Sequence, residues 1–341
     1  AIKIFSLYPF AVEAYYSNGI YPYISAFQRI LFGWIPFSIG DIFYGIAVIW
    51  LVLQVIKIIK VIRGKEANAV YFKKTGLRFI TGLLIVYVGF NFLWGLNYNR
   101  LGIDYQLKLE TLKYSDTDLV NVSGELVAKL NSLQYASLNT RQQLKRKKNL
   151  FHGAINSYKN LSENLPLIKY SFPSVKPSIF SYIGNYLGFT GYYNPFSGEA
   201  QVNTTVPLFV RPFTTCHEIG HQLGYAKESE ANFAGFLSAT ASKDSAFLYS
   251  VYFDMYAYAA RYLYLADSNA LKKINEQLSP QVKNDIKELR AFYNRYQTPV
   301  ETAIDRLYSE YLKANEQPSG KMSYNEVVAM LIAYRKKYGK I

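Results

Sequence analysis

Two uncharged apolar runs constrain this chain more than any other feature of it. The first spans Ile42 to Ile56 and continues through Ile58 and Ile59 around Lys57, whose stem can snorkel from the end of a span. The second, Phe79 to Leu96, carries no charge and is followed by Tyr98, so that it ends in Trp94 and Tyr98, aromatics typical of a membrane interface. Each approaches the roughly 20 residues that cross a bilayer. Both are near spanning length and they adjoin in sequence, so they read as two transmembrane helices, about residues 42–59 and 79–96, rather than as a pair of buried core helices. The lipid bilayer is the first partner to expect.

The segment between the runs carries Lys57, Lys60, Arg63, Lys65, Lys73, Lys74 and Arg78 against a single acid, Glu66. By the positive-inside rule this short loop is cytoplasmic. The stretch before Asp41, with only Lys3 and Arg29 as basic residues, and everything after Tyr98 then lie on the other side. Three segments follow. Residues 1–40 are aromatic and broken by Pro9, Gly19, Pro22, Gly33 and Pro36 into short interfacial helices. Residues 41–98 hold the two spans and their basic loop, and residues 99–341 form an extracytoplasmic domain. A start at Ala1 rather than Met leaves room for an earlier span or signal segment removed from the chain.

Apolar content of 50% with only 18% charged residues accords with a chain partly in lipid. The net charge of +14 comes with no zinc-finger spacing, RNA-binding aromatic signature or dense basic helix, so nucleic acid is not an expected partner. Cys216 is the sole cysteine, which excludes an intramolecular disulfide.

Frequent charges and helical apolar spacing begin at about Asn97. Helices are expected over Asp116–Leu133, Thr140–Leu161, Phe213–Leu223, Glu228–Ser242, Ala246–Ala266, Gln281–Tyr296, Val300–Ala314 and Tyr324–Tyr338. The basic run RQQLKRKKN in the second reads as a solvated face. Ser171–Pro212 is rich in Tyr, Phe, Gly, Pro and Ser, and reads as short strands and turns, with a turn at Asn194–Gly198 before an alternating strand, Glu199–Asn203. The expected fold class is mainly α with a small β-sheet, an α+β domain behind N-terminal transmembrane helices.

The helix after the strand-rich stretch contains His217-Glu218-Ile219-Gly220-His221. Positions four apart share a helix face, so both imidazoles can bind one zinc ion while Glu218, offset by one residue, is directed at a water on the metal. Zinc lowers the pKa of that water, and the carboxylate takes its proton as a carbonyl is attacked. The chain has only three histidines, and two fall in this pentapeptide. Thr214, Thr215, Cys216, Ile219, Gly220, Gln222 and Leu223 around them are uncharged, as in a packed helix, and Gly224 supplies a stop. One Zn2+ on His217 and His221, with Glu218 as catalytic base, is the expectation.

A catalytic zinc needs a third protein ligand and an open position. Lys227 stands where a metzincin would have its third histidine, which excludes that class. Glu228 and Glu230 open the next helix, and two residues apart means about 200° around the axis, so only one can face the metal. Glu228 shares its face with Asn232, which can hydrogen-bond a metal-bound histidine from behind. Glu230 has Phe233 and Ala234 at the corresponding positions. Glu228 is the preferred third ligand and Glu230 the alternative.

The block from Tyr192 to Phe233, with YYNPFSGEAQVN, CHEIGHQLG and ESEANF, resembles an uncharacterised bacterial family of unknown function. The likeness extends to FGWIPFSIGD before the first span, WGLNYNR after the second and YLKANEQPSGKMSYNEVV near the C-terminus, so it covers nearly the whole chain. It implies N-terminal spans followed by a zincin-like domain in the bacterial inner membrane, and supplies no activity or substrate. The EAN element is also similar to the ExxAD or ExxAN segments of gluzincins, whose first Glu is the ligand. That similarity implies Glu228.

Zincin clefts commonly bind an extended peptide along a strand edge above the metal helix, and Glu199, Ala200, Gln201, Val202 and Asn203 are the candidate edge, with an interior strand as the alternative. Tyr192, Tyr193, Tyr252 and Tyr256 are candidate donors to an oxyanion. His152, beside Phe151, and Cys216, turned about 100° from His217 on the helix, read as structural. Charges at Arg211, Lys227, Glu228 and Glu230 place the motif outside the lipid.

These residues point to a membrane-anchored, gluzincin-like zinc metallopeptidase hydrolysing peptide bonds of extracytoplasmic proteins or peptides. The competing reading is a non-catalytic zinc-binding sensor or scaffold of the cell envelope. A transport role ranks last, because neither span contains an acidic residue.

Overall fold

Prolines at the first turns start the N-terminal helices, where the missing N–H leaves no bond unmade. The computed structural model describes residues 2–66, 68–111, 114–299, 306–307, 309–310 and 324–341. Helices α1 (Ile2–Ser6) and α2 (Pro9–Ala11) lead into a π-helical stretch, Val12–Ile20, and then α3 (Tyr21–Phe32). This segment is built into the rest of the protein. Val12, Tyr16 and Tyr21 share a buried cluster with Trp94, Leu96, Tyr98, Tyr193 and Ala226.

Helices α4 (Ile39–Arg63) and α5 (Ala69–Leu93) contain the two apolar runs, and Ser38 and Asn68 cap them. Both are long and apolar enough to cross a membrane, and neither apolar stretch is buried. The α5 helix stops at Leu93, short of the end of its apolar run, because Trp94 leaves the helix for a 3-10 turn, Gly95–Asn99. Trp94 and Tyr98 therefore do not face a membrane interface, as their type suggested. They are buried inside the protein.

Beyond the turn lie α6 (Ile103–Leu107), α7 (Asp116–Arg141) and α8 (Lys147–Asn164). A reciprocal cap between Ser115 and Asp118 starts α7, which runs past the expected end at Leu133 to Arg141, where a buried ion pair with Asp285 holds it at 2.9 Å. Strand β1 (Val175–Pro177), helix α9 (Ser181–Leu187) and strands β2 (Gly191–Asn194) and β3 (Glu199–Val202) follow. The helices α10 (Arg211–Gln222), α11 (Glu228–Thr240), α12 (Ser245–Ala266), α13 (Ser268–Glu276), α14 (Pro280–Tyr296) and α15 (Tyr324–Tyr338) complete the described fold. The helix expected over Val300–Ala314 falls mostly outside the described residues, and within it 306–307 and 309–310 are helical.

Strand order is β1-β3-β2, with β1 parallel and β2 antiparallel to β3, and Gly191 opposite Val202. The candidate edge, Glu199 to Asn203, is thus the middle of the sheet. Both of its edges are paired, so the strand order corrects its assignment as a substrate edge. On the site side the edge strand is β2.

The main core joins α7, α8, α11 and α12 through Leu126, Leu130, Leu150, Tyr158, Phe236 and Phe247. Helices α10 and α11 approach closely because two glycines let them. A Cβ on Gly220 would lie 3.1 Å from the Ala231 carbonyl oxygen, and one on Gly235 3.1 Å from the His217 nitrogen.

Candidate metal centre

Gly224 takes a positive φ of 88°, which ends α10 in the left-handed region that favours glycine. A side chain there would also meet the Tyr21 ring at 2.8 Å. The turn returns the Tyr225 carbonyl to 2.8 Å from His221 Nδ1. With Nδ1–H donated to that oxygen, Nε2 of His221 is the bare nitrogen.

The first turn of α11 delivers Glu228. Its Oε2 lies 3.5 Å from His217 Nε2 and its Oε1 3.6 Å from His221 Nε2. The two imidazoles stand edge to face, 4.6 Å between centroids. Glu230 points elsewhere, to Lys227 at 3.5 Å and against Gly102. The two glutamates diverge as their spacing on the helix requires. Glu228 is the glutamate that faces both imidazoles.

Asn232 abuts the His217 ring, and its Oδ1 accepts from Tyr258 Oη at 3.3 Å. His217 Nδ1 and Asn232 Nδ2 are both buried without a hydrogen-bond partner in this orientation. A half-turn of the amide exchanges its oxygen and nitrogen, so that Oδ1 accepts from Nδ1–H and Nδ2 donates to Tyr258. In that orientation a proton on Nδ1 would leave His217 Nε2 bare.

Glu218 is buried, and its Oε2 has no hydrogen-bond partner. One ligand atom each from His217, Glu218 and His221 lie within 4.8 Å of one another. Burial pushes the Glu218 carboxyl up to about 8, with Glu228 adding to the rise and His221 opposing it. Burial and the neighbouring His221 push His217 down to about 4. For His221, burial lowers the pKa, but Glu228, Glu218 and the Tyr225 carbonyl outweigh it and leave it above the usual value. The side chains of His217 and Glu228, each 13% exposed against 8% for His221, form the accessible rim.

Three of the four candidate tyrosines are hydrogen-bonded elsewhere, and the buried Tyr193 hydroxyl has no hydrogen-bond partner. Tyr192 Oη bonds Asp41 and Ser178, Tyr193 is buried beside Tyr21 and Trp94, Tyr252 reaches the Ile341 carbonyl at 3.4 Å, and Tyr256 donates to Asn275 at 2.7 Å. His152 lines a separate cavity with Phe151 and Val175. Cys216 is buried, and burial pushes its thiol up to about 12. Glu199 and Gln201 of β3 serve the first apolar helix instead of a ligand. Glu199 accepts from the Ile39 and Gly40 nitrogens at 3.2 and 2.6 Å, and Gln201 donates to Ser38.

Three contributors have no signature in the sequence motif. Gly191 of β2 is one, since a Cβ there would lie 2.5 Å from Glu218 Oε1. Trp94 donates from Nε1 to the His221 carbonyl at 2.9 Å. Arg100 pairs with Glu13 at 2.9 Å, donates to the Gly224 carbonyl at 3.1 Å and lies over the Tyr225 ring, so it steadies the turn that orients His221. Trp94 and Arg100 bound WGLNYNR, which marked them only as part of a likeness.

A family model described as Protein of unknown function (DUF3810) matches residues 16–332. The chain belongs to this family. No curated protein and no solved structure matches it. In this DUF3810 chain the matched region takes in both long apolar helices, the sheet and the whole His–Glu cluster.

Proposed function

We propose that this DUF3810 chain is a membrane-anchored zinc metallopeptidase that hydrolyses peptide bonds of extracytoplasmic proteins or peptides. One observation carries this. The two Glu228 oxygens stand 3.5 and 3.6 Å from the Nε2 atoms of His217 and His221. Zinc bonds to N and O ligands run about 2.0–2.1 Å, and a tetrahedron of that size has an edge of about 3.4 Å. Two imidazole nitrogens, each facing one oxygen of the same carboxylate at close to that spacing, are a donor set that suits one Zn2+, with Glu228 rather than Glu230 as the third ligand and Asn232 steadying His217.

The ion, when bound, supplies Lewis acidity to a carbonyl and to water. Glu218 supplies the base. Its unpartnered oxygen accepts a proton from the attacking water, and burial, which favours the protonated form, lets it hold that proton for the leaving amine. Strand β2 offers an extended peptide an edge, and Gly191 keeps the strand clear of Glu218.

Both apolar helices meet the site-bearing domain at one end, through Ser38 and Trp94, and carry the basic loop at the other. That polarity supports two spans with a cytoplasmic loop and the domain outside the bacterial inner membrane. A non-catalytic zinc-binding sensor or scaffold draws support from the closeness of Glu218 to both imidazoles, as a fourth ligand would close the site.

Metal analysis of the purified full-length wild type and Glu218→Gln, with a proteomic comparison of cells carrying each, tests both readings. One zinc per chain in both, and substrates accumulating with the variant, is the expected result. Retained cleavage by the variant refutes the mechanism. Zinc lost together with the carboxylate would favour the closed, non-catalytic site.

A further inference from the structure

The His–Glu cluster lies at the level where the two apolar helices end. Trp94, the residue after α5, bonds the His221 carbonyl at 2.9 Å, with its ring 5.9 Å from the imidazole. Along β2, Gly191 lies against Glu218, Tyr192 against Tyr44 and Asp41 of α4, and Tyr193 against Trp94 at 5.2 Å. A strand rises about 3.3 Å per residue, so the base carboxylate is within about 7 Å, along the strand, of residues touching α4 and the residue that follows α5.

The loops flanking β2 reach farther down. Phe180 lies 4.0 Å from a Cβ built on Gly45, and Phe196 3.9 Å from one on Gly89. Phe32 meets Phe43 edge to face at 6.0 Å. Phe43 and Gly45 are within the apolar run of α4, and Gly89 is a turn before the end of α5. Next to these residues in the chain, Trp34, Phe37, Ile179 and Ile183 are 48–79% exposed. An apolar collar continuous with two unburied apolar helices fits a domain sunk into the lipid surface. Strand β2 touches α4 through Tyr192 and the residue that follows α5 through Tyr193.

We infer that the cleft acts at the membrane surface on polypeptides held in the same bilayer, cutting them within a few residues of their anchor. This rests on the peptidase reading and names its substrate class. A soluble protein would have to bring its scissile segment down to the headgroups, whereas an anchored chain presents that segment as it leaves the lipid.

Full-length protein in phosphatidylethanolamine–phosphatidylglycerol vesicles tests the inference with one randomised peptide library in three forms: free, on a palmitoyl anchor through a short linker, and on the same anchor through a long flexible linker. The anchored forms should be cut at least about tenfold faster than the free one, and cuts in the long-linker form should gather beside the anchor. Equal rates, or cuts scattered along the long linker, overturn the inference and leave the peptidase reading standing. No hydrolysis of any form above the Glu218→Gln background overturns both. A readout independent of activity is an environment-sensitive fluorophore on Ile183→Cys, Cys216 being buried. Quenching by headgroup-labelled lipid is expected, and quenching by aqueous iodide alone counts against the collar.

Discussion

Helices α4 and α5 and helices α10 and α11 dispose of their side chains in opposite ways. In the long pair apolar side chains face outward all round, and polar groups gather at the ends, with Ser38 and Asn68 as caps and Lys60 and Arg63 closing α4. In the short pair nearly every residue is buried, yet many are polar. Gln222 donates to the carbonyls of Ser174 and Gly198 at 3.1 and 2.5 Å, Thr215 to that of Arg211 at 2.7 Å, and the Cys216 carbonyl accepts from Tyr158 at 2.7 Å. A helix long and apolar enough to cross a membrane can satisfy its backbone with its internal hydrogen bonds alone. A polar helix in a protein core needs a partner for each polar group, brought from distant parts of the chain.

That contrast can be broken at single residues. Arg100→Met would leave Glu13 buried and unpaired and release the turn behind His221, at a cost of about 3–5 kcal/mol, read as a lowered midpoint in denaturant melts of the detergent-solubilised protein. An unchanged midpoint would show that the site helices do not depend on the N-terminal segment.

Gly235→Ala, whose Cβ would crowd the His217 backbone at 3.1 Å, should cost about 1–3 kcal/mol by the same measurement. Its counterpart Gly82→Ala in α5, with nothing within 4 Å, should stay within about 0.5 kcal/mol of wild type. Equal effects would mean that the two helix pairs tolerate added volume alike.

The last effect is in pH. Metal binding needs both imidazoles neutral, so protons compete and retention of zinc falls as pH falls. His221, held above its usual value, takes up its proton before His217, which is held down to about 4. Zinc affinity measured by equilibrium dialysis should therefore drop with falling pH by about tenfold per pH unit while His221 alone takes up its proton, the slope of one proton. A slope of two would place both histidines in the same environment.

Much of the fold was legible in the sequence. The helices over Phe213–Leu223, Glu228–Ser242 and Ala246–Ala266 lie within two residues of α10, α11 and α12, because apolar spacing and stops such as Gly224 act locally. The turn before β3 was legible for the same reason, with the Gly198 nitrogen donating to the Asn194 carbonyl at 2.9 Å. The strand order was not. Nothing in Glu199–Val202 says that Val175–Pro177 pairs on one side of it and Gly191–Asn194 on the other. The aromatic pair Trp94 and Tyr98 misled for a related reason: their chemistry suits an interface and a buried cluster equally well, and the contacts decide.

What the sequence by itself determined is periodic and short in range. Two runs long enough to span a bilayer, two imidazoles one helical turn apart with a glutamate between them, and two glutamates that cannot face the same way all follow from spacing along a helix. What only the tertiary structure decided is which groups meet across the chain. Glu228 between the imidazoles, Gly191 against Glu218, and Trp94 on the His221 carbonyl 127 positions away are set by packing of side chains distant in sequence. Local spacing limits which residues can share a face. The close approach of α10 and α11 across Gly220 and Gly235, with the turn at Gly224, decides what that face meets.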